Sequence, residues 1–455
     1  MGRKYHFIAI GGVGMSGLAK YLLQQGYEVS GSDISESKYT NLLKDLGGKI
    51  FIGHSPDNLP EDSIVVVSSA IKKDNPELIK AQKLGLPVYH RSDMLAEISK
   101  SDKCFLGFSG THGKTTTSGM TSYLLSKAGL NPSFVVGGIL PEYNTNAEYC
   151  ASGKYFAAEL DESDGTIVKY SPDVVVVNNL EADHLDYYKN GLDDVLNTFE
   201  TFLGNLKPSS KVLVNIDNLG VSRLKNIEKY ITYGLNSADY TAKNIQYCYG
   251  YTTFDFYYKE DKLESVKIIL PGEHNVYNTL AVLSALHQSS VDIGQVVPHL
   301  ETFTGMGRRF QKVAEIDGIT VFDDYAHHPT EIKSTLSALK SFTDKPVVVV
   351  FQPHRYTRLK SLWNDFVKVL NEQALGEKFR LIITDVYSAS ENEIEGINSE
   401  IFSKEVKGAE YVPGTINDVA QAILRDIKDD SVVIGLGAGT ITNLAKEILK
   451  IKEGK

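Results

Sequence analysis

Short apolar runs alternate with longer stretches of helical period along almost the whole chain, and most runs stop at glycine, asparagine or a charged residue. Apolar runs of strand length set between helical segments predict parallel strands covered by helices on both faces. Near the N-terminus, Tyr5–Ile10 reads as a strand, Gly11–Gly17 as a loop and Leu18–Gln25 as a helix closed by Gly26. Glu28–Gly31 is a second strand running out at Asp33, and Ile64–Val67 and Pro87–Tyr89 are two more. After the polar linker 99–102, Lys103–Leu106 reads as a strand. A glycine turn then leads to the helix Ser118–Ala128, where Met120, Tyr123, Leu124 and Leu125 fall at helical spacing. Further strands are expected at Tyr155–Leu160, Val174–Val177 and Lys211–Asn215, with an amphipathic helix at Asp193–Leu203. Alternation over Tyr240–Lys267 predicts antiparallel strands, and Val276–His287 a helix. Beyond a glycine hinge at Gly305 and Gly307, strands at Thr320–Phe322, Pro346–Phe351, Arg380–Thr384 and Val432–Ile434 alternate with helices. The expectation is an α/β protein of three domains, 1–100, 101–305 and 306–455, the outer two Rossmann-like.

Length agrees, since 455 residues are too many for one core. A formal net charge of -10 argues against a general nucleic-acid binder. The three cysteines, Cys104, Cys150 and Cys248, are widely spaced and odd in number, which suggests neither a disulfide framework nor a zinc site. No stretch reaches the ~20 apolar residues of a membrane span, so no membrane partner is expected and the cytoplasm is the simplest compartment. Nothing in the pattern sets an oligomeric state.

Two glycine loops carry the candidate chemistry. Gly12-Val13-Gly14-Met15-Ser16-Gly17 matches G-x-G-x-x-G between a strand and a helix, with Asp33 at the end of the next strand. Alone, it predicts an NAD-binding fold and a dehydrogenase, but the same geometry serves any diphosphate. Ser68, Ser69, His90 and Arg91 follow two further strands, on the edge where ligands of parallel sheets collect. The second loop, Gly110-Thr111-His112-Gly113-Lys114-Thr115-Thr116-Thr117, departs from the strict Walker spacing because Phe108 stands where the first glycine belongs. It still assembles glycine amides, a helix N-terminus, the Lys114 ammonium and the Thr115 hydroxyl, which suit a triphosphate and Mg²⁺. The central domain is therefore expected to be of P-loop ATPase type.

Glu159, Asp161, Glu162 and Asp164 crowd one strand end, an arrangement that a cation would relieve. A second cluster, Asn178 to Asp186, includes His184 flanked by Asp183 and Asp186. His274 and Asn275 stand at a predicted helix start, suited to capping or to an adenine edge. Arg308 offers bidentate phosphate recognition. Asp323, Asp324, His327 and His328, then His354, Arg355 and Arg358, follow strands of the third domain. A nucleotide-dependent switch without turnover would use many of the same groups.

These residues together resemble the Mur ligases of bacterial cell-wall synthesis, through Gly11–Ala19, Gly110–Thr117, Glu159–Asp164, Glu181–His184, Gly307–Phe310, Asp324–Thr330 and Phe351–Arg358. The likeness covers essentially the whole chain. The Phe351–Arg358 block points to the alanine-adding members and away from those that attach a murein tripeptide. Ala326 stands where many alanine-adding relatives have glycine.

The resemblance implies an ATP-dependent ligase joining L-alanine to UDP-N-acetylmuramate through an acyl phosphate, with Mg²⁺. Lys114 would meet the β/γ-phosphates, and Thr115 and Glu159 would hold Mg²⁺. His184 would face a second Mg²⁺ or the moving phosphoryl. His274 and Asn275 would contact adenine, Arg308 the phosphates, and Asp323 or Asp324 the ribose. Gly12, Gly14, Met15, Ser16, Gly17, Asp33, Ser68 and Ser69 would hold the sugar nucleotide. His327, His328, His354, Arg355 and Arg358 would grip its anionic groups or the amino acid.

Overall fold

The structure is a computed structural model that describes residues 3–454 other than Asp186, Tyr249, Ala374, Leu375, Glu377 and Asp429. It divides into two compact units. One comprises Met1–Asn244, Phe254–Lys267 and Tyr277–Phe303, the other Ile245–Thr253, Ile268–Val276 and Thr304–Lys455.

The first unit opens with a five-stranded parallel sheet in the order Lys49–Ile52, Glu28–Asp33, Lys4–Ile8, Ser63–Val67, Val88–His90. The chain runs outward one way from Lys4–Ile8 and then the other. This leaves a crevice at the carboxyl ends of Lys4–Ile8 and Ser63–Val67, where the Gly11–Gly12 turn and the Ser68-Ser69 turn lie.

A ten-stranded sheet follows. Its parallel centre is Lys211–Asn215, Val174–Val177, Cys104–Ser109, Tyr155–Glu159 and Ser133–Leu140. All four valines of Val174–Val177 are buried, as a strand covered on both faces requires. Phe105, Phe156, Val175, Val177 and Phe199 pack in one core, each such side chain worth ~1.5–3 kcal/mol on burial.

The second unit is built on six strands in the order Gln311–Ile316, Ile319–Asp324, Val432–Leu436, Val347–Phe351, Phe379–Thr384, Ala409–Val412, the first antiparallel and the rest parallel. Separate apolar clusters cover its two faces, one containing Phe351, Phe366 and Phe402, the other Val350, Ile423 and Ile448.

Three expected boundaries are corrected. The first helix is Val13–Gln24, so Gly14, Met15, Ser16 and Gly17 are helical rather than loop. The helix after Pro271 is Glu273–Gln288, so Asn275 lies within it and is no cap. Asp323 and Asp324 belong to the strand Ile319–Asp324 and are buried at 4% and 5% exposure. Each error has one cause: glycine and polar side chains at an element's end look like loop, yet the backbone stays regular where sheet or helix bonds continue. The short outer strands Lys49–Ile52, Thr145–Glu148 and Gln311–Ile316 were not expected: the first has an apolar run of only three residues, Ile50 to Ile52, and the other two have no run that long. Among the described residues no helix is long and apolar enough to cross a membrane.

Candidate active site

Strand register assembles the first candidate site. Ser109 pairs with Val177 and Phe108 with Glu159, so the segments after three neighbouring strands meet at one edge of the sheet. The Gly110–Gly113 loop closes onto the segment after Val177. The Thr111 N–H donates to Asn179 O (3.0 Å), the His112 N–H to Asn179 Oδ1 (2.7 Å), and the Glu181 N–H to Thr111 Oγ1 (2.9 Å). Gly110 (φ +117°) and Gly113 (φ +85°) adopt left-handed backbone, and a Cβ at Gly110 would sit 2.8 Å from Asn179 O. At Gly113 it would sit 2.8 Å from Asn278 Oδ1.

Gly113 precedes the helix Lys114–Lys127, whose first amides face the loop. Lys114 Nζ folds back onto Gly110 O (2.7 Å), Thr111 O (3.0 Å) and Glu162 Oε1 (3.0 Å). Burial works against its charge, but Glu162, Asp161 and Glu159 outweigh that and hold the ammonium above its ordinary pKa. Glu162 is pushed up to about 7 by burial, against the pull of Lys114. Thr115 Oγ1 donates to Glu159 Oε2 (2.7 Å), which also accepts the Gly137 N–H (3.1 Å). Thr116 is buried behind them. Hydroxyl and carboxylate oxygens converge here, a donor set that fits Mg²⁺.

At the crevice of the five-stranded sheet, the Gly11 N–H donates to Asp33 Oδ2 (2.8 Å), and a Cβ on Gly11 would lie 2.9 Å from that oxygen. Gly12 stands at the N-terminus of the helix Val13–Gln24. Gly14 faces Arg91, whose Nη1 would be 3.6 Å from a Cβ there. Met15 turns inward at 3% exposure, Ser16 Oγ donates to Val13 O (3.0 Å), and Gly17 packs against Asn146.

Arg91 pairs with Asp161, and Ser69 Oγ bonds both His90 Nε2 and Asp164 Oδ2 at 3.0 Å. Burial opposes the Asp161 charge, but the Arg91 and Lys114 cations hold its carboxyl well below the usual range. Burial lowers His90. Ser68 lies in the same turn, its carbonyl accepting from Ile71 N–H (3.1 Å). Asp161 and Glu162 are adjacent, so one acidic turn contacts Arg91 on one side and Lys114 on the other.

His184 holds φ +52°, with its N–H on Asp183 Oδ1 (2.7 Å); Asp186 lies outside the described residues. Its carbonyl accepts the Tyr187 and Tyr188 N–H groups.

In the second unit, Asn275 Nδ2 donates to Pro271 O (2.8 Å), and burial with the Arg309 charge lowers His274 to about 4. Arg308 donates through Nε to Asp323 Oδ2 (3.0 Å) and through Nη2 to Gly437 O (2.7 Å). Asp324 accepts the Phe310 and Ala326 N–H groups at 2.8 and 2.7 Å, which ties it to backbone.

His327 Nδ1 lies 2.9 Å from Tyr325 O, and burial lowers its pKa to about 4. His328 caps the helix Pro329–Phe342, accepting the Thr330 N–H at 3.3 Å. His354 accepts from Arg358 Nη1 (3.1 Å), and burial with the surrounding cations lowers it to about 3. Arg355 starts the next helical turn with φ +69°.

The Mur ligase family catalytic domain matches residues 4–103, the Mur ligase middle domain 108–286, and the Mur ligase glutamate ligase domain 308–439. This chain belongs to the Mur ligase family. It is similar to the UDP-N-acetylmuramate–L-alanine ligase of Geotalea daltonii, at 41% identity over 99% of this chain and 98% of that one. The ligase of the same name from Aquifex aeolicus is 42% identical over 98% and 97%. Among solved structures, the UDP-N-acetylmuramate–alanine ligase of Thermotoga maritima superposes with a TM-score of 0.83 at 28% identity, covering 99% of this chain and 100% of that one. A murein peptide ligase of Psychrobacter arcticus shares the fold, with a TM-score of 0.72 at 22% identity, over 100% of this chain and 99% of that one.

In this Mur ligase the G-x-G-x-x-G turn thus lies in the family's own first domain and needs no dehydrogenase to explain it. Sequence reasoning did not single out Asn278, which stands against Gly113, or Gly137, which donates to Glu159. Asn178 and Asn179 carried a signal, standing just past a buried strand. Glu162 was hidden among three acidic neighbours, Glu159, Asp161 and Asp164.

Proposed function

We propose that this Mur ligase uses ATP to join L-alanine to the lactyl carboxylate of UDP-N-acetylmuramate. The observation that carries the assignment is near-full-length identity of 41% and 42% with ligases of that name. A carboxylate oxygen of the sugar nucleotide attacks the γ-phosphorus, the bond to the β-phosphate oxygen breaks, and ADP leaves. The alanine amine then attacks the acyl-phosphate carbonyl, phosphate leaves, and the nitrogen loses its proton as the amide forms. Two anions must meet in the first step, so positioning and charge neutralisation supply most of the rate.

Gly110, Thr111, His112, Gly113 and Thr116 cradle the triphosphate with backbone and helix-end amides, and Lys114 turns from Glu162 to the β/γ-phosphates. Thr115 and Glu159 would hold Mg²⁺, which bound there would neutralise phosphate charge, and His184 would serve a second Mg²⁺ or the moving phosphoryl. His274 and Asn275 take adenine, Arg308 the phosphates, and Asp323 with Asp324 the ribose side. Gly12, Gly14, Met15, Ser16 and Gly17 offer the helix end to the UDP diphosphate, with Asp33, Ser68, Ser69, His90 and Arg91 around it. His327, His328, His354, Arg355 and Arg358 serve the amino acid and the sugar nucleotide's anionic groups. ATP and a UDP-sugar place the reaction in the cytoplasm.

Phosphate release is the test, with each of ATP, Mg²⁺, UDP-N-acetylmuramate and L-alanine omitted in turn. Release is expected only with all four. Release without alanine, or a stronger response to a murein tripeptide than to alanine, overturns the assignment.

A further inference from the structure

The loop Gly437–Gly439 and the segment Asp385–Tyr387 both follow strands of the second unit, and the ligase chemistry leaves them without a task. They converge on Tyr387. Its ring stacks on the His354 imidazole, with centroids 5.6 Å apart and planes at 16°. Gly439 also lies against this residue: a Cβ there would sit 2.5 Å from Tyr387 Cγ and from Gln352 Oε1, so only glycine lets the backbone approach the ring this closely.

The main chain repeats the attachment. Tyr387 N–H donates to Pro353 O (2.8 Å) and Tyr387 O accepts the Arg355 N–H (2.8 Å), which secures the left-handed Arg355 backbone at φ +69°. Two residues earlier, Asp385 is tied by Tyr411 Oη (2.5 Å) and the Gly414 N–H (2.8 Å), so the segment has its own anchor. His354 in turn accepts from Arg358 Nη1, an arrangement open only to an imidazole with a free Nδ1 lone pair.

We infer that Tyr387 is a positioning residue for the amino-acid substrate. Its ring seats His354 and thereby Arg358, and its carbonyl fixes Arg355, so two guanidinium groups are set to take one carboxylate. The inference rests on the proposed alanine-ligase function and adds a residue to it. Planar guanidinium groups grip a carboxylate only in a narrow range of orientations, so loosening their support costs affinity for the small substrate before it costs the fold.

Steady-state kinetics of Tyr387→Phe, Tyr387→Leu and Gly439→Ala provide the test, with a melting curve for each. Tyr387→Leu is expected to raise KM for L-alanine about 10-fold or more, the scale on which supporting residues act. KM for ATP should stay within about twofold. Tyr387→Phe keeps the stack and should match the parent. Gly439→Ala displaces the ring and should raise the alanine KM in the same selective way, even if Tyr387→Leu folds poorly. An unchanged alanine KM in a folded variant overturns the inference, as does a common shift of all three KM values. Absence of alanine-dependent turnover in the parent protein would instead sink the functional assignment.

Discussion

The two glycine turns share a strand–turn–helix plan but meet their ligands with different equipment. The Gly11–Gly17 turn has no lysine and is held by its neighbours: Asp33 takes the Gly11 amide and Asn146 packs against Gly17. The cation beside Gly14, Arg91, comes from another strand end and is already paired with Asp161. The Gly110–Lys114 turn carries its cation within the loop, with two left-handed glycines and a buried carboxylate partner in Glu162. The first turn thus offers mainly amide dipoles, which suits holding a diphosphate that does not react. The second adds a mobile charge, which suits a phosphate whose charge changes during the reaction. Glycine spacing sets the first kind of site, and the charged groups around the loop set the second.

Removing the lysine should separate the two most sharply. Lys114→Ala is expected to lower phosphate release about 10³-fold or more, while calorimetric titration still detects UDP-N-acetylmuramate. Loss of both functions in a folded protein would mean that the turns do not act separately. Gly110→Ala comes next, since it combines φ +117° with a Cβ 2.8 Å from Asn179 O. It should cost about 1–2 kcal/mol in urea unfolding and raise KM for ATP. The matching change in the other turn, Gly14→Ala, meets only Arg91 Nη1 at 3.6 Å. Stability should stay within about 0.5 kcal/mol, and only affinity for the sugar nucleotide should fall.

The smallest effect is acid sensitivity at His90. Its folded pKa lies below the ordinary 6.5, through burial and then the Arg91 and Lys169 charges, with Asp164 and Asp93 pulling the other way. The folded state therefore favours neutral imidazole. Its contribution is complete above pH 6.5 and is lost as pH falls from there through the folded value. Melting curves between pH 7.5 and 5 should show a shallow decline that His90→Gln reduces; an identical slope in the variant would remove His90 as the cause.

Much of this was legible in the linear chain. The run Val174–Val177 declared a buried strand, and Gly110, Gly113, Lys114 and Thr115 declared a phosphate turn through local backbone requirements. The surroundings of Asp324 were not legible: in the fold it accepts two backbone N–H groups and is pushed up to about 6 by burial. Glu162 could not be told from Glu159 by spacing. The strand end turns one toward Lys114 and the other toward Thr115.

Taken alone, the amino-acid order determined the alternation of strands and helices, the positions of both glycine turns and the supply of charged groups at the strand ends. These follow from period, propensity and permitted φ, which involve only near neighbours in the chain. Which carboxylate faces which cation, why Gly137 and Gly439 must lack a Cβ, and which ring supports His354 were decided only by the tertiary structure. Those contacts join residues 22 or more positions apart, and their free energy depends on distance and burial that no local stretch encodes.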